Sequence, residues 1–191
     1  MALCITQNLL SRCPILSKLG GITEILLANS NDITAYTYSV APTTAGRVTA
    51  MTFSAGNGFR RFTPTVNTTK LVSELKTNKS KKAGVRPYKL TGEFHEWSIP
   101  ASIFWDELNN CCHPLTMVIR TVSGTSLIYN NTTAVPSVYH NPATVYLTGN
   151  NFEIGEDPEN PDHVWKYMFE ISGASQKLPN EFAITTPIIL P

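Results

Sequence analysis

Histidine is the side chain best suited to moving protons near neutral pH, and this chain has four: His95, His113, His140 and His163. None of them falls in an H-E-x-x-H or comparable ligand spacing. His95 shares a strand face with Glu93 and Trp97, so an acid–base couple could form there. The plainer reading is a charge pair on a strand surface. Cys112 precedes His113, but catalytic Cys–His partners are normally distant in sequence, and a thiol on a buried helical stripe is the plainer reading. Ser73 and Lys76 match S-x-x-K without its companion motifs. Gly56-Asn57-Gly58 lacks the third glycine and the following helix of a dinucleotide loop, and reads as a turn. The expectation is a protein that is not an enzyme, with no catalytic residue, no metal ligand and no cofactor.

Two charged segments could still bind something. Glu153, Glu156, Asp157, Glu159 and Asp162 offer the oxygen ligands that calcium prefers, but outside the EF-hand pattern. Pro158 and Pro161 make a stiff, solvated loop the simpler account, and calcium binding by 156–162 is left open. Lys76, Lys79, Lys81, Lys82, Arg86 and Lys89 form a basic cluster suited to phosphate or to an acidic neighbour. No aromatic residue lies between Lys76 and Arg86, so stacking on single-stranded nucleic acid is not supported. An acidic protein surface is favoured, such as the Glu156–Asp162 loop of a neighbouring copy. The sequons at Asn67, Asn78, Asn130 and Asn131 follow from a composition rich in Asn and Thr.

Composition narrows the class. A chain of 191 residues suits one domain. Apolar residues make up 42%, which is ordinary, but charged residues only 15%, against about 25% in average soluble domains. A net charge of +1 gives no basis for binding nucleic acid by bulk charge, and little self-repulsion against homotypic association. Cys4, Cys13, Cys111 and Cys112 show no C-x-x-C spacing. The opening MALCITQNLLSRC lacks a basic region followed by a long apolar run, so synthesis in a reducing cytoplasm with free thiols is expected. No stretch approaches the ~20 apolar residues of a membrane span.

The elements that must position these residues are mostly strands. Ile22–Ala28, Ile33–Val40 and Val48–Ser54 carry β-branched and aromatic residues between turn clusters. Thr68–Lys76 and Tyr88–Ile99 read as the arms of a long hairpin, 68–99, whose lysine-bearing tip has no large apolar residue. One helix is expected over 100–113, entered at Pro100 and stopped at His113-Pro114, with Phe104, Leu108 and Cys111–Cys112 on its buried stripe. Leu115–Val122 and Thr125–Tyr129 form a second hairpin, and Thr144–Leu147 a short strand. Trp165, Tyr167, Phe169 and Ile171 alternate strictly, which puts them on one buried strand face. The expected organisation is an N-terminal arm over 1–19, a β-rich core over 20–177, and an extended C-terminal arm over 178–191. Both arms are apolar, at Ile5 and Leu9 and at Ile188, Ile189 and Leu190, and are expected to be covered by other polypeptides.

The opening G-G-I-T-E-I-L-L-A-N…D-I-T-A-Y, carried by Gly20, Gly21, Ile22, Ile25, Leu27, Ala28, Asn29, Asp32 and Ile33, resembles structural proteins of tailed bacteriophages, especially of Bacteroides-type hosts. The later element order resembles tail-tube and tail-ring subunits. That resemblance implies a β-sandwich or barrel of tail-tube type, with a long protruding hairpin and one flanking helix. It implies a virion protein, made in the host cytoplasm, that assembles with itself in a ring and with adjacent tail or neck proteins. DNA would pass through the ring without specific binding. The long C-terminal arm lies outside the minimal tube pattern, so a neck or head–tail connector protein remains an alternative. A carbohydrate- or ligand-binding β-sandwich using Trp97 or Trp165 is a second one.

Overall fold

In a computed structural model of the chain, residues 21–65, 68–73, 86–95, 98–110, 114–129, 143–154, 165–175 and 177–190 are described. Over the described residues the protein is mainly β, with one α-helix and antiparallel sheets. The strands are β1 (Ile22–Asn29), β2 (Ile33–Tyr38), β3 (Val48–Phe53), β4 (Arg60–Phe62), β5 (Lys70–Ser73) and β6 (Arg86–Phe94). Helix α1 (Ile99–Asn109) follows, then β7 (Leu115–Thr121), β8 (Ser126–Tyr129), β9 (Tyr146–Ile154), β10 (Trp165–Ser175) and β11 (Asn180–Glu181). One sheet has the order β11-β8-β7-β1-β4, a second β5-β6-β10-β9, and β2 pairs with β3 alone.

The burial pattern explains why β1 does not alternate. Ile25, Leu26, Leu27 and Ala28 are all buried, because the five-stranded sheet is covered on both faces. On one face Ile25, Leu27, Met117, Ile119 and Phe62 meet Leu90, Phe94, Tyr167, Phe169 and Ile171 of the four-stranded sheet. On the other, Leu26, Ala28 and Val118 lie under Ile33, Tyr36 and Val48 of the β2–β3 hairpin and under Phe182. The strand β10 keeps its strict alternation through Tyr167, Phe169 and Ile171, because only one face of its sheet is covered by the core.

Helix α1 starts one residue before Pro100. Ser98 caps it, its Oγ accepting the Ala101 amide at 3.2 Å, and Pro100 sits in the first turn where no donor is needed. Its buried stripe is Ala101, Phe104, Trp105 and Leu108. Trp105 was not on the expected stripe; it stacks on Tyr167 at 5.8 Å and Phe169 at 5.7 Å. The expected stripe members Cys111 and Cys112 lie outside the described residues, as do the N-terminal arm, the hairpin tip and the acidic loop.

Two expectations need correcting. The short strand expected over 144–147 is the nine-residue β9, paired with β10 along its length. Gly149-Asn150-Asn151 has poor strand propensity, but a ladder with a long neighbour overrides it. The segment 178–191 does not need another polypeptide to cover it. Through Leu190 it lies on its own chain, crossing from β8 to the residues before β4. Phe182 donates its amide to the Ser126 carbonyl at 2.8 Å. Phe59 donates to the Ile188 carbonyl, and Leu190 to the Phe59 carbonyl, each at 2.9 Å. Phe182 is buried, and Ile184 and Ile189 pack on the same cluster. The apolar composition that suggests a search for a partner is thus mostly used at home; Leu178 and Ile188 are the large apolar residues left exposed, at 62% and 54%.

This crossing depends on Gly58. A Cβ there would lie 2.8 Å from the Ile188 carbonyl oxygen and 2.9 Å from Ile188 Cγ2. Gly58→Ala is therefore expected to lift the C-terminal segment, at a cost of about 1–2 kcal/mol. Hydrogen exchange at the Phe59 and Leu190 amides reads it out, and unchanged protection there would refute the account.

Candidate functional site

The proposed interface residues fall in different surroundings. Lys76, Lys79, Lys81, Lys82, Ile5 and Leu9 lie outside the described residues. Arg86 opens β6, opposite Ser175 of β10. Lys89 is not held out for a partner: its Nζ is 2.5 Å from Glu170 Oε2 on the outer face of the four-stranded sheet. The exposure of the lysine makes this a weak pair. Ile189 is packed on its own chain, Leu190 is part-covered, and Ile188 is exposed.

The same outer face brings His95 and Glu93 together, with His95 Nε2 2.7 Å from Glu93 Oε2. Lys166 adds its Nζ at 3.2 Å from Glu93 Oε1. Burial opposes ionisation of Glu93, but hydrogen bonds from His95 and Lys166 outweigh it and hold the carboxyl below its usual range. An ionised carboxylate clasped by two donors is an anchor between strands. It is not poised to take up a proton near neutral pH. Among the described residues no group of three His, Cys, Asp or Glu side chains could hold a metal ion, and no helix is long and apolar enough to cross a membrane. His113, His140, His163, all four cysteines and Trp97 are outside the described residues.

A groove of about 720 Å³ lies beside the C-terminal crossing. Its floor is an ion triad. Glu24 accepts Arg120 Nη1 at 2.9 Å and lies 2.5 Å from Arg61 Nε. Arg120 Nη2 also reaches the Ile184 carbonyl at 3.2 Å, tying the C-terminal segment to the sheet. The rim carries Thr23, Thr63, Thr121 and Thr185. Sequence reasoning missed these charges because they are 37 and 59 residues apart along the chain. The available signal was Glu24 itself, a carboxylate inside a nearly continuous apolar strand, which demands a partner.

No protein-family model, curated protein or solved structure matches this chain. What it does has to be read from its own geometry.

Among the described residues several large apolar side chains are exposed. Val40, Ile99, Leu178, Ile188 and Tyr146 are each more than half exposed. Ile99 and Ile103 stand one turn apart on the outward face of α1, 67% and 40% exposed, while Phe104, Trp105 and Leu108 face the core. Asp106 continues that outward face one turn on.

Proposed function

We propose that this protein is a non-catalytic structural subunit that assembles with copies of itself, as a ring or tube component of a bacteriophage tail. The observation that carries the assembly reading is the exposed Ile99–Ile103 face of α1 in a protein with few charged residues and a net charge of +1. Large apolar side chains held in water on a rigid helix gain about 25 cal/mol per Å² when a second surface covers them. Little net charge opposes that approach. A rigid body of two stacked sheets and one crossing helix suits a repeating subunit, whose interfaces must recur identically around a ring.

The bacteriophage part of the reading rests on the resemblance of residues 20–33 and on the order of hairpin, helix and strands. It carries the virion location, the host-cytoplasm origin and the passage of DNA through a central channel. The C-terminal segment adds nothing to it, since that segment is satisfied on its own chain. Sedimentation velocity and negative-stain microscopy of the purified protein test the proposal. Closed rings or tubes are expected, and a monomer persisting at high concentration would refute it. The groove over Arg61, Glu24 and Arg120 favours a second reading, a ligand-binding β-sandwich. Binding of a glycan by a soluble monomer would favour it over assembly.

A further inference from the structure

Asn57-Gly58 is the one Asn-Gly step in the chain. It lies in the turn between β3 and β4, with Ala55 and Gly56 exposed before it and Phe59 buried after it. Glycine stands on both sides of Asn57, so neither chain neighbour has a side chain to shield its carboxamide. Asn57 Nδ2 donates to Ser54 Oγ at 2.8 Å, which keeps the carboxamide at the turn. The backbone amides around Gly58 are engaged: Asn57 donates to the Ser54 carbonyl at 3.0 Å and Phe59 to the Ile188 carbonyl at 2.9 Å. Among the described residues the Gly58 amide itself makes no backbone hydrogen bond. Position 58 must nonetheless be glycine, because a Cβ there would lie 2.8 Å from the Ile188 carbonyl oxygen.

From these contacts we infer that Asn57 is a self-modification site, and that its deamidation loosens the C-terminal crossing. The Gly58 nitrogen, after giving its proton to hydroxide, attacks Asn57 Cγ. The N–Cγ bond forms, the Cγ–Nδ2 bond breaks, and ammonia leaves, taking its third hydrogen from water. The product is a five-membered succinimide, which a second water opens. Attack at Cγ gives aspartate with the chain restored. Attack at the main-chain carbonyl carbon of residue 57 leaves the chain running through Cβ and Cγ, as isoaspartate. Nothing is oxidised or reduced, and water is the only co-reactant. A Cβ on the attacking residue would crowd the ring closure, and glycine has none. The close approach of Ile188 that demands glycine at 58 therefore also creates the reactive pair.

Isoaspartate lengthens the main chain by one carbon–carbon bond, about 1.5 Å. The turn is held on both sides of the insertion. Upstream, the Asn57 amide is bonded to Ser54. Downstream, Phe59 is fully buried, its ring edge-on to Phe53 at 5.2 Å and to Phe182 at 6.0 Å. Ile188 lies directly against Gly58. The extra length therefore bears on the crossing. The bonds from Phe59 to Ile188 and from Leu190 to Phe59 are 2.9 Å each, and such bonds fade beyond about 3.2 Å. Aspartate keeps the original chain length and leaves both bonds in place. Formation of isoaspartate is thus a slow release of the last residues from the sheet, whether or not the subunit assembles.

The test is ageing of the full-length chain in mildly alkaline buffer, followed by peptide mapping with electron-transfer fragmentation, which tells isoaspartate from aspartate. Asn57 is expected to convert about tenfold or more faster than Asn29, Asn150 or Asn180, which precede Ser30, Asn151 and Glu181, because only glycine leaves ring closure unhindered. The isoaspartate fraction, separated by chromatography, should lose hydrogen-exchange protection at the Phe59 and Leu190 amides with no comparable loss in β7. Fresh Asn57→Asp adds the same charge at the normal chain length and should keep that protection. If Asn57 stays an amide in the folded chain while it converts in urea, the site is overturned. If isoaspartate forms and both amides stay protected, or if Asn57→Asp loses protection equally, the link to the crossing is overturned.

Discussion

Gly173→Ala is expected to prevent folding, or to leave a protein that melts tens of degrees lower. Gly173 lies near the end of β10, where the strand entering β9 crosses directly over it. A Cβ at 173 would sit 1.8 Å from the Thr144 carbonyl oxygen, 2.7 Å from its carbonyl carbon and 2.7 Å from Tyr88 Oη. These are not flexible side-chain ends. The Thr144 backbone is held by its own amide donating to the Ala174 carbonyl at 3.0 Å, and its Oγ1 accepts the Ala174 amide at 2.9 Å. The Tyr88 hydroxyl donates to the same Thr144 carbonyl. Burial is what raises the Tyr88 phenol far above its ordinary value, and the Tyr129 phenol beside it is pushed up to about 12, again by burial. One methyl group would therefore break three hydrogen bonds and separate a buried pair of tyrosine rings with centroids 4.2 Å apart. Losses of this kind exceed about 4 kcal/mol, a large part of the stability of an ordinary domain. Ser172→Ala, one residue away, removes only a hydroxyl contact to Thr148 at 3.0 Å and should cost under about 1 kcal/mol. Urea unfolding of the two variants decides the matter. Equal midpoints would mean that the crossing at Gly173 is not close.

The contrast between what was legible in the sequence and what was not follows from range. The alternation of Tyr167, Phe169 and Ile171 is local and survives folding, because β10 packs one face on the core. The β1 run ITEILLAN gives no alternation, and only the sheet topology explains why: the strand is sandwiched between two clusters. Helix α1 was legible from Pro100 and from the Phe104–Leu108 spacing. Trp105 was not, because α1 lies across the core with a stripe wider than two residues per turn. The C-terminal segment failed in an instructive way. Its prolines correctly excluded a helix and its isoleucines correctly demanded cover, but composition does not say whose surface provides it. The bed for Ile189 is made by Phe59, 130 residues earlier, beside a glycine that reads only as a turn. The Arg61–Glu24–Arg120 triad is likewise non-local.

The second large effect is expected at Phe62, in the three-residue strand β4. So short a strand contributes little by its own ladder, three pairs with β1. Its value lies in where it puts one ring. Phe62 is 1% exposed and touches all three parts of the main core. It meets Phe169 of the second sheet edge-on at 4.9 Å and Phe94 at 5.9 Å. From α1 it meets Trp105 edge-on at 5.3 Å and Phe104 stacked at 5.7 Å. Removing the ring would leave a void walled by four aromatic rings. None of them can move in without abandoning its other contacts, so collapse is poor and the full cavity term applies. Phe62→Ala should cost about 3–5 kcal/mol, and Phe62→Leu, which keeps most of the volume, markedly less. The two should also differ in kind. With Ala, α1 loses its hold on the five-stranded sheet, so amide exchange in Ala101–Leu108 should rise more than in β7. If α1 and β7 lose protection equally, the helix is fixed by some contact other than this ring.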